Sequence, residues 1–364
     1  MALPISVPYT FGSTTTQNSL VNLDTDFSTI YTTVNGIGTG TVTLATPVIT
    51  SSLGIGTSSP SQALSVVGAI TATSTVAMGS SFLRNRIING AMQVSQRGTS
   101  FSTPASGAYT LDRFFVSWTG AAPATVAQIS GPTGYQYAAQ ITGSASNTQV
   151  AINQNIESNN IADLASTTVT LSAIILASTA QTVGWSAYYP TATDNYTSKT
   201  LIASGTWSVT TSAATWTAQI ALPANVVNGL QIVILPNNGG AFTSGTLTVT
   251  GIQVEPGSIA TPFERRPFGE VLMLCHRYFF STNANEIKMA NYAAGPYVTS
   301  LSTMFFPVSM RVVPTVAYSV SATVNCSTLI SDKKTTQAVS TAATAVVLGI
   351  FSAQFSYTAD SEIV

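Results

Sequence analysis

Apolar and polar residues alternate along much of the chain with the period of two that is typical of half-buried β-strands. Near the middle, Ile252 and Val254 alternate with Gln253 and Glu255. Similar short runs recur upstream and are separated by turn signals such as Gly131-Pro132. This spacing predicts a β-sandwich or jelly roll over residues 84–263. Its strands are predicted at Tyr135–Ile141, Gln149–Ile156, Thr167–Ala177, Gln181–Tyr189, Trp216–Leu222, Gly229–Leu235 and Gly245–Glu255.

A helical period replaces this alternation in the first 46 residues. Apolar residues follow the N-cap candidate Ser19 with gaps of three, four, three and four, which predicts a helix over residues 19–35. We interpret its apolar stripe as a trimerisation seam between identical helices. An amphipathic helix packed on its own domain is the alternative. The seam consists of Leu20, Leu23, Phe27, Ile30 and Val34.

Two further segments flank the predicted sandwich. Residues 47–83 are rich in Gly, Ser and Thr, and they predict either a β-rich shaft completed by sister chains or a flexible linker. For residues 264–364 we predict a small β or α+β tip domain. Within it, Glu270–Phe280 is predicted to be either a strand or a helix. The predicted fold class is therefore mainly all-β, in an elongated homotrimer. Strands of the tip are predicted at Tyr297–Val308, Thr315–Val324 and Val346–Tyr357.

The composition is unusually apolar for a soluble monomer, with 7% charged residues and a mean hydropathy of +0.32. The most apolar run, Val169–Ala177, has the length of a strand and is far shorter than the ~20 residues of a spanning helix. Met1 does not begin a recognisable secretory leader. We therefore expect burial between subunits and no membrane insertion. A net charge of -1 gives no reason to expect a nucleic-acid partner.

The sequence offers little for metal or nucleophilic chemistry. His276 is the only histidine, so a metal site built of histidines is excluded. Its neighbour Cys275 would point to the opposite face of a strand, which argues against a Cys-His pair. Cys275 and Cys326 are interpreted as small buried residues. No cofactor and no metal are expected.

Acidic residues are scattered, which argues against a pair of catalytic carboxylates. Asp112 and Glu264 each adjoin an arginine, Arg113 and Arg265 respectively, and we expect structural ion pairs at a domain seam. Neither a nucleophile elbow nor a phosphate-binding glycine loop is recognisable. The chain is therefore predicted not to be an enzyme.

Aromatic rings and uncharged polar side chains are the groups that contact the faces and hydroxyls of sugars. On a strand, Trp185 and Tyr189 would share one face and Tyr188 the other, so one set belongs to the core. The loop-like stretch at residues 283–297 is the first choice for host contact, because loops on rigid scaffolds carry recognition. The candidate glycan-binding residues are Trp185, Tyr189, Tyr196, Asn283, Asn285, Asn291, Tyr292 and Tyr297.

Ordered motifs stand at both ends of the predicted sandwich. The upstream motifs are Arg84-Asn85-Arg86-Ile87-Ile88-Asn89-Gly90, Gln96-Arg97-Gly98 and Asp112-Arg113-Phe114. The downstream motifs are Gln253-x-Glu255-x-Gly257-x-x-Ala260-Thr261-Pro262-Phe263-Glu264 and Cys275-x-Arg277-Tyr278-Phe279. Together they resemble a module of bacteriophage tail fibres and related receptor-binding proteins, over roughly Arg84–Phe280. In that family the first set opens a jelly roll and the second closes it and begins the next unit.

This resemblance implies a function in host attachment. Residues 1–46 would attach to a tail or baseplate protein of the virion, and the C-terminal domains would adsorb to a host cell-surface polysaccharide. The protein would fold in the bacterial host cytoplasm and reside in the virion as a homotrimer. A structural virion component without a receptor, such as a head fibre, collar or decoration protein, is the first alternative. A polysaccharide depolymerase is the weaker one.

Overall fold

The structure is a computed structural model that describes residues 53–55, 64–66, 83–282, 287–297, 299–326 and 329–363. The chain divides into two compact units, Met1–Ala77 and Met78–Val364. In the first unit, β1 (Leu53–Ile55) pairs in parallel with β2 (Leu64–Val66). The predicted helix and its seam lie outside the described residues, so the trimer that they predict stays a prediction.

Two antiparallel sheets form a sandwich in the second unit. Their strands are β3 (Ser100–Ser102), β4 (Phe115–Gly120), β5 (Thr125–Ser130), β6 (Tyr137–Thr142), β7 (Asn147–Ile156), β8 (Thr168–Ala177), β9 (Gln181–Ala192), β10 (Asn195–Val209), β11 (Ala214–Ala221), β12 (Leu230–Leu235) and β13 (Thr246–Pro256). The five-stranded sheet has the order β10-β9-β12-β7-β4, and the six-stranded sheet has the order β11-β8-β13-β6-β5-β3. The all-β prediction for this part is confirmed.

The core lies between these sheets and is filled by alternate residues of their strands. Ile232 and Ile234 contribute from β12, and Leu171 and Ile175 contribute from β8. The period-two pattern therefore located these strands correctly. It did not pick out β3, β4, β5 or β10.

Asn85 joins the opening of the sandwich to its closing strand. Its side-chain oxygen accepts hydrogen bonds from the backbone amides of Ile87 (2.9 Å) and Val254 (3.1 Å). Its amide nitrogen donates to the carbonyl of Ile252 at 3.2 Å. The amide of Ile252 also donates to the carbonyl of Gly90 at 3.0 Å. The upstream and downstream motifs are thus partners in space.

The C-terminal part begins with α1 (Phe268–His276), so the ambiguous segment there is mainly helical. Cys275 and His276 consequently lie on a helix and not on a strand, which was the other structure predicted for this segment. A four-stranded sheet follows, in which β20 pairs with β14, β15 and β17, and β16-β19-β18 form a second sheet. These strands are β14 (Phe279–Ser281), β15 (Ile287–Ala293), β16 (Thr299–Phe305), β17 (Thr315–Val324), β18 (Ile330–Lys334), β19 (Ala338–Thr344) and β20 (Gly349–Asp360).

A second hydrophobic core lies between these two sheets. Phe351 and Phe355 enter it from β20, and Val339 enters it from β19. The predicted strand Thr315–Val324 is confirmed with the same limits. The stretch at residues 283–297 was expected to be a loop, but residues 287–293 form β15. The predicted division at residue 263 stays a prediction, because both parts belong to one compact unit.

Buried charges connect the C-terminal part to the sandwich. Arg113 forms an ion pair with Glu362, and its guanidinium lies 3.5 Å from the ring centre of Tyr278. Arg97 adds a second contact to Glu362 at 3.3 Å. Arg277 donates two hydrogen bonds to Glu157, at 2.7 and 3.1 Å. An ion-pair seam is therefore present.

The partners at this seam differ from those that sequence adjacency suggested. Asp112 accepts hydrogen bonds from the backbone and side chain of Gln96 and does not pair with Arg113. Glu264 lies 3.5 Å from Arg266, whereas Arg265 donates to the carbonyl of Gly134. Asp112 and Arg113 lie in a turn, with Arg113 at a φ of 70°, and Arg113 pairs with Glu362 in place of Asp112.

Gly90 provides a direct test of the contact between the two motifs. A Cβ atom at this position would overlap the carbonyl oxygen of Ile252, so the backbone would have to shift. We expect Gly90→Ala to lower the free energy of unfolding by about 1–3 kcal/mol in urea denaturation. Gly269→Ala is the matched control, because Gly269 lies exposed in α1 with open space around its Cα. That control should be neutral or stabilising by up to about 1 kcal/mol. Equal stabilities would contradict the contact.

Glu157 should make the stability of the folded chain depend on acid pH. Burial alone would raise the pKa of Glu157, but hydrogen bonds from Arg277 and Tyr278 outweigh burial and hold its pKa below the usual 4.5. The stabilisation is therefore present above about pH 4.5 and is lost as the pH falls through the lowered pKa. Glu157→Gln should cost about 2 kcal/mol at pH 7 and less at pH 3. Parallel pH profiles of the two proteins in chemical denaturation would refute this role.

Candidate functional site

The side of the five-stranded sheet that faces away from the hydrophobic core carries a set of polar side chains. On β9, Trp185 and Ala187 lie in the hydrophobic core. Ser186 and Tyr188 alternate with them and therefore face outward. On β12, Leu230 and Ile232 lie in the core, so Gln231 between them lies on the other side of the sheet. These outward residues occupy the middle strands of the sheet, where neighbouring strands support them on both sides.

Strand pairing brings these residues into rows across the sheet. Tyr188, Gln231 and Asn155 lie directly opposite one another on β9, β12 and β7. The adjacent row contains Ser186, Val233 and Asn153 in the same order. We call this set the polar face, and it consists of Asn153, Asn155, Ser186, Tyr188, Lys199 and Gln231. The side chains of Asn153, Asn155, Ser186 and Gln231 are buried, whereas Tyr188 is half-buried and Lys199 is exposed.

A chain of hydrogen bonds fixes the orientation of the polar face. Lys199 Nζ donates to Gln231 Oε1 at 2.5 Å, and Gln231 Nε2 donates to Asn155 Oδ1 at 2.7 Å. Asn155 Nδ2 then donates to the carbonyl of Ile363 at 3.0 Å. Burial lowers the pKa of Lys199. Because each amide is held by a neighbour, the face is ordered before any ligand arrives.

Tyr188 and Lys199 are the members of the polar face that a polyhydroxylated ligand can reach. Amides and hydroxyls both donate and accept hydrogen bonds. Tyr188 is half-buried, and its ring lies 5.0 Å from Lys199 Nζ. Such a ring offers an apolar surface beside the polar groups. The arrangement is suited to binding and holds no carboxylate that could act as an acid or base.

Two of the predicted glycan-binding residues, Trp185 and Tyr196, belong to the core, where a glycan cannot reach them. Trp185 is buried and stacks on Trp207, with 6.2 Å between the ring centres. Tyr196 is buried, and its hydroxyl donates to the carbonyl of Ile156 at 2.7 Å. Tyr189 is half-buried, on the opposite side of β9 from Tyr188. The outward ring of this strand is that of Tyr188, which the prediction did not select.

The predicted residues of the tip are exposed but lie among apolar neighbours. Tyr292 is 64% exposed, and it lies opposite Ile350, which is 66% exposed. Tyr297 is 85% exposed, and Asn291 is exposed beside Tyr292. Asn283 and Asn285 lie outside the described residues. Aliphatic neighbours favour contact with protein over contact with sugar hydroxyls.

The described residues contain no group of three or more His, Cys, Asp and Glu side chains that could hold a metal ion. His276 packs edge-on against Phe280, with 5.2 Å between ring centres, and burial lowers its pKa. Cys275 is a buried free thiol whose pKa burial raises, and Cys326 is free and half-buried. Within the described ranges, none of the helices is both long and apolar enough to cross a bilayer.

Solved structures resemble this chain with low TM-scores, of 0.30–0.33 for the three described below. No family model matches the sequence, and no curated protein matches it. A CBM4 carbohydrate-binding module is 17% identical, with 46% of this chain and 98% of that chain covered and a TM-score of 0.32. TmCBM61, solved in complex with β-1,4-galactotriose, is 9% identical over 48% of this chain and 99% of that chain, with a TM-score of 0.30.

A bacteriophage protein is also among the similar structures. The enzymatically active domain of bacteriophage CBA120 tailspike protein 4 is 10% identical, with a TM-score of 0.33. The match covers 48% of this chain and 21% of the tailspike chain. Similarities at this level do not establish a family or a function for this chain.

Gln231 is the central link of the polar face, so its replacement should be measurable. Gln231→Leu removes the partners of both Lys199 and Asn155 while keeping a similar volume. We expect a loss of about 1–3 kcal/mol in unfolding free energy. Gln219→Leu is the control, because Gln219 is exposed on β11 and makes one hydrogen bond, to the carbonyl of Ser258. A control as destabilised as Gln231→Leu would argue against a buried network.

Proposed function

We propose that this chain is a bacteriophage tail fibre or receptor-binding protein that adsorbs to a host surface polysaccharide without cleaving it. The order of motifs between Arg84 and Phe280 supports this family assignment. Their contact in space supports it further, since Asn85 of the first motif bonds Ile252 and Val254 beside the last. In this proposal residues 1–46 attach to a tail or baseplate protein, and the protein resides in the virion.

The polar face is the observation that carries the proposed binding function. It combines the half-buried ring of Tyr188 and the exposed ammonium of Lys199 with buried amides of Gln231 and Asn155, which hold Lys199 in place from behind. A rigid, ordered set of donors and acceptors lowers the entropy lost when a ligand binds. Sugars present both polar edges and apolar faces, so they fit this combination better than an apolar ligand would. A single such site is expected to be weak, and linked copies would raise the avidity by about 10²–10⁴.

The surroundings of the buried carboxylates support adsorption over cleavage. Asp112 is held by Gln96, and Glu157 is held by Arg277 and Tyr278. Glu255 accepts hydrogen bonds from Thr261 and lies 2.9 Å from Arg84. Glycoside hydrolysis needs two carboxyl groups that flank the scissile bond, and carboxylates bound in this way are committed to structure.

Tyr188 and Tyr292 allow the two candidate surfaces to be compared directly. Tyr188→Ala should weaken adsorption of the full-length protein to an array of bacterial surface polysaccharides by about tenfold, because a ring contact of about 1.4 kcal/mol is lost. Tyr292→Ala should leave adsorption unchanged. Truncation after residue 263 is a poorer test, since Arg113 would lose Glu362 and remain buried without its partner.

The opposite pattern, with loss only in Tyr292→Ala, would move the site to the tip. Binding that survives both substitutions would refute a ring contact at either place. Incubation with host capsule or lipopolysaccharide should release no new reducing ends. Their appearance would overturn the non-enzymatic part of the proposal, and particle imaging that places the protein on the head would overturn the tail assignment.

A further inference from the structure

Lys199 is the cation of the polar face, and it differs from most cations around it in its partners. Between residues 83 and 282 the chain has eight arginine and lysine side chains, and six of them form ion pairs. These six are Arg84, Arg86, Arg97, Arg113, Arg266 and Arg277. Of the other two, Arg265 donates to the carbonyl of Gly134 and lies 4.7 Å from the ring centre of Tyr135. Lys199 remains, and no ion pair between described residues includes it.

The carboxylates between residues 83 and 282 are bound by other groups. Five of the seven form ion pairs with arginines, and these are Glu157, Asp163, Glu255, Glu264 and Glu270. The remaining two accept hydrogen bonds, Asp112 from Gln96 and Asp194 from Ser158. This part of the folded chain therefore offers Lys199 no counter-charge.

The ammonium of Lys199 is nevertheless held in a defined place. It donates to Gln231 Oε1 at 2.5 Å and lies 5.0 Å from the ring centre of Tyr188. Gln231 is buried and is fixed in turn by its hydrogen bond to Asn155. A long side chain that is already ordered loses less conformational entropy when a ligand binds to it. The position of the charge is therefore set before a ligand arrives.

The groups that a ligand can reach here donate more hydrogen bonds than they accept. The buried amides of Gln231 and Asn155 are already bonded to their neighbours. An ammonium carries three N–H donors and no acceptor, and one of the donors of Lys199 is bonded to Gln231. A carboxylate or phosphate only accepts, and its hydrogen bonds to an ammonium are strengthened by charge. A neutral hydroxyl also has to donate, so it fits this site less well.

Apolar groups lie beside the ammonium on the same side of the sheet. Leu201 lies directly opposite Tyr188, and Lys199 lies directly opposite Pro190 on β9. Opposite residues share one side of a sheet, so Leu201 and the ring of Tyr188 form an apolar surface next to the charge. Leu201 is 51% exposed. Partial burial lowers the pKa of Lys199, because nearby protein atoms replace some of the water around its ammonium. A bound anion would compensate for that lost hydration.

We propose that Lys199 selects acidic polysaccharides. Its ammonium binds an anionic substituent of a sugar, a carboxylate or a phosphate, while the apolar face of the sugar rests on Tyr188 and Leu201. The ammonium of a lysine is a compact point charge, so it accepts either anion. This inference rests on the proposed glycan-binding function and narrows its ligand to anionic polymers.

Changing the ligand tests this selection without changing the protein. Acidic bacterial surface polysaccharides are immobilised untreated, with their carboxyl groups reduced to hydroxymethyl groups, or with their phosphate substituents removed. The full-length protein should bind an untreated polymer about tenfold more tightly than the form that lacks its anionic group, because a charge-assisted hydrogen bond is lost. Loss of binding after carboxyl reduction identifies a carboxylate, and loss after phosphate removal identifies a phosphate.

Two results on these polymers would overturn the inference, and they differ in what they say of glycan binding. Equal binding of all three forms, still weakened by Tyr188→Ala, would refute charge selection and leave the proposed glycan-binding function intact. Adsorption to none of the polymers would refute both.

Substitution of Lys199 provides the complementary test in the full-length protein. Lys199→Gln should weaken binding to the untreated acidic polymer by about tenfold and leave binding to its neutral form unchanged. Lys199→Arg keeps the charge and should lose less. Lys333→Gln is the matched control, because it removes the same charge from an exposed lysine of the C-terminal part and should bind as the wild type does.

Salt and folding measurements complete the design. Raising the salt concentration from about 0.1 M to about 1 M shortens the screening length from about 10 Å to about 3 Å. This change should weaken binding of the wild type and of Lys199→Arg, but not of Lys199→Gln. Near-ultraviolet circular dichroism checks that each variant is folded. If Lys199→Gln lost acidic and neutral forms alike, Lys199 would be a structural support of the face and the inference would be wrong.

Discussion

The buried ion pair between Arg113 and Glu362 holds together the parts of the second unit. A guanidinium removed from water is costly unless other groups replace the lost hydration. Here Glu362 supplies the opposite charge, the carbonyl of Asn155 accepts a hydrogen bond, and the ring of Tyr278 covers the cation. These three groups come from the C-terminal segment, from β7 and from the residues after α1. The charge is therefore satisfied only when all three are in place.

The order of the polar face follows from this arrangement. The segment that carries Glu362 also places the carbonyl of Ile363 within hydrogen-bonding distance of Asn155. Asn155 then orients Gln231, and Gln231 orients Lys199. A surface that could bind a ligand on the sandwich is thus organised partly by residues more than 150 positions downstream. The packing between the two parts therefore helps to determine the geometry of the candidate site.

Sequence periodicity predicted most of the sandwich because its strands bury one side each. It failed at β10, where Lys199 and Leu201 are both exposed and the segment before Trp207 has few buried positions. This strand is an edge strand, held by its backbone pairing with β9. Hydrogen bonding to a neighbour leaves no hydrophobic pattern in the sequence. The helix α1 was likewise ambiguous, because a short apolar run suits either a strand or a helix.

The candidate site was less predictable than the fold for a related reason. Alternation on β9 placed Trp185 and Tyr188 on opposite sides but did not say which side was buried. The structure shows that Trp185 and Ala187 lie on the core side of β9. Ser186 and Tyr188 lie on the other side of the sheet. Even with that choice made, Lys199, Gln231 and Asn155 become neighbours only through the register of four strands, β10, β9, β12 and β7. Register depends on the whole sheet and is not encoded locally.

The low charge of this chain has two different consequences in its two parts. In the sandwich, the buried amides of Gln231 and Asn155 satisfy one another, and Lys199 is the one charged member of the polar face. In the C-terminal part, Leu301 and Ile350 remain exposed on opposite faces, where few charged side chains are available to keep them soluble. In the homotrimer that the N-terminal seam predicts, several polar faces would be linked in one particle. Weak contacts to a repeating polymer would then act together, so the avidity would exceed the affinity of one site.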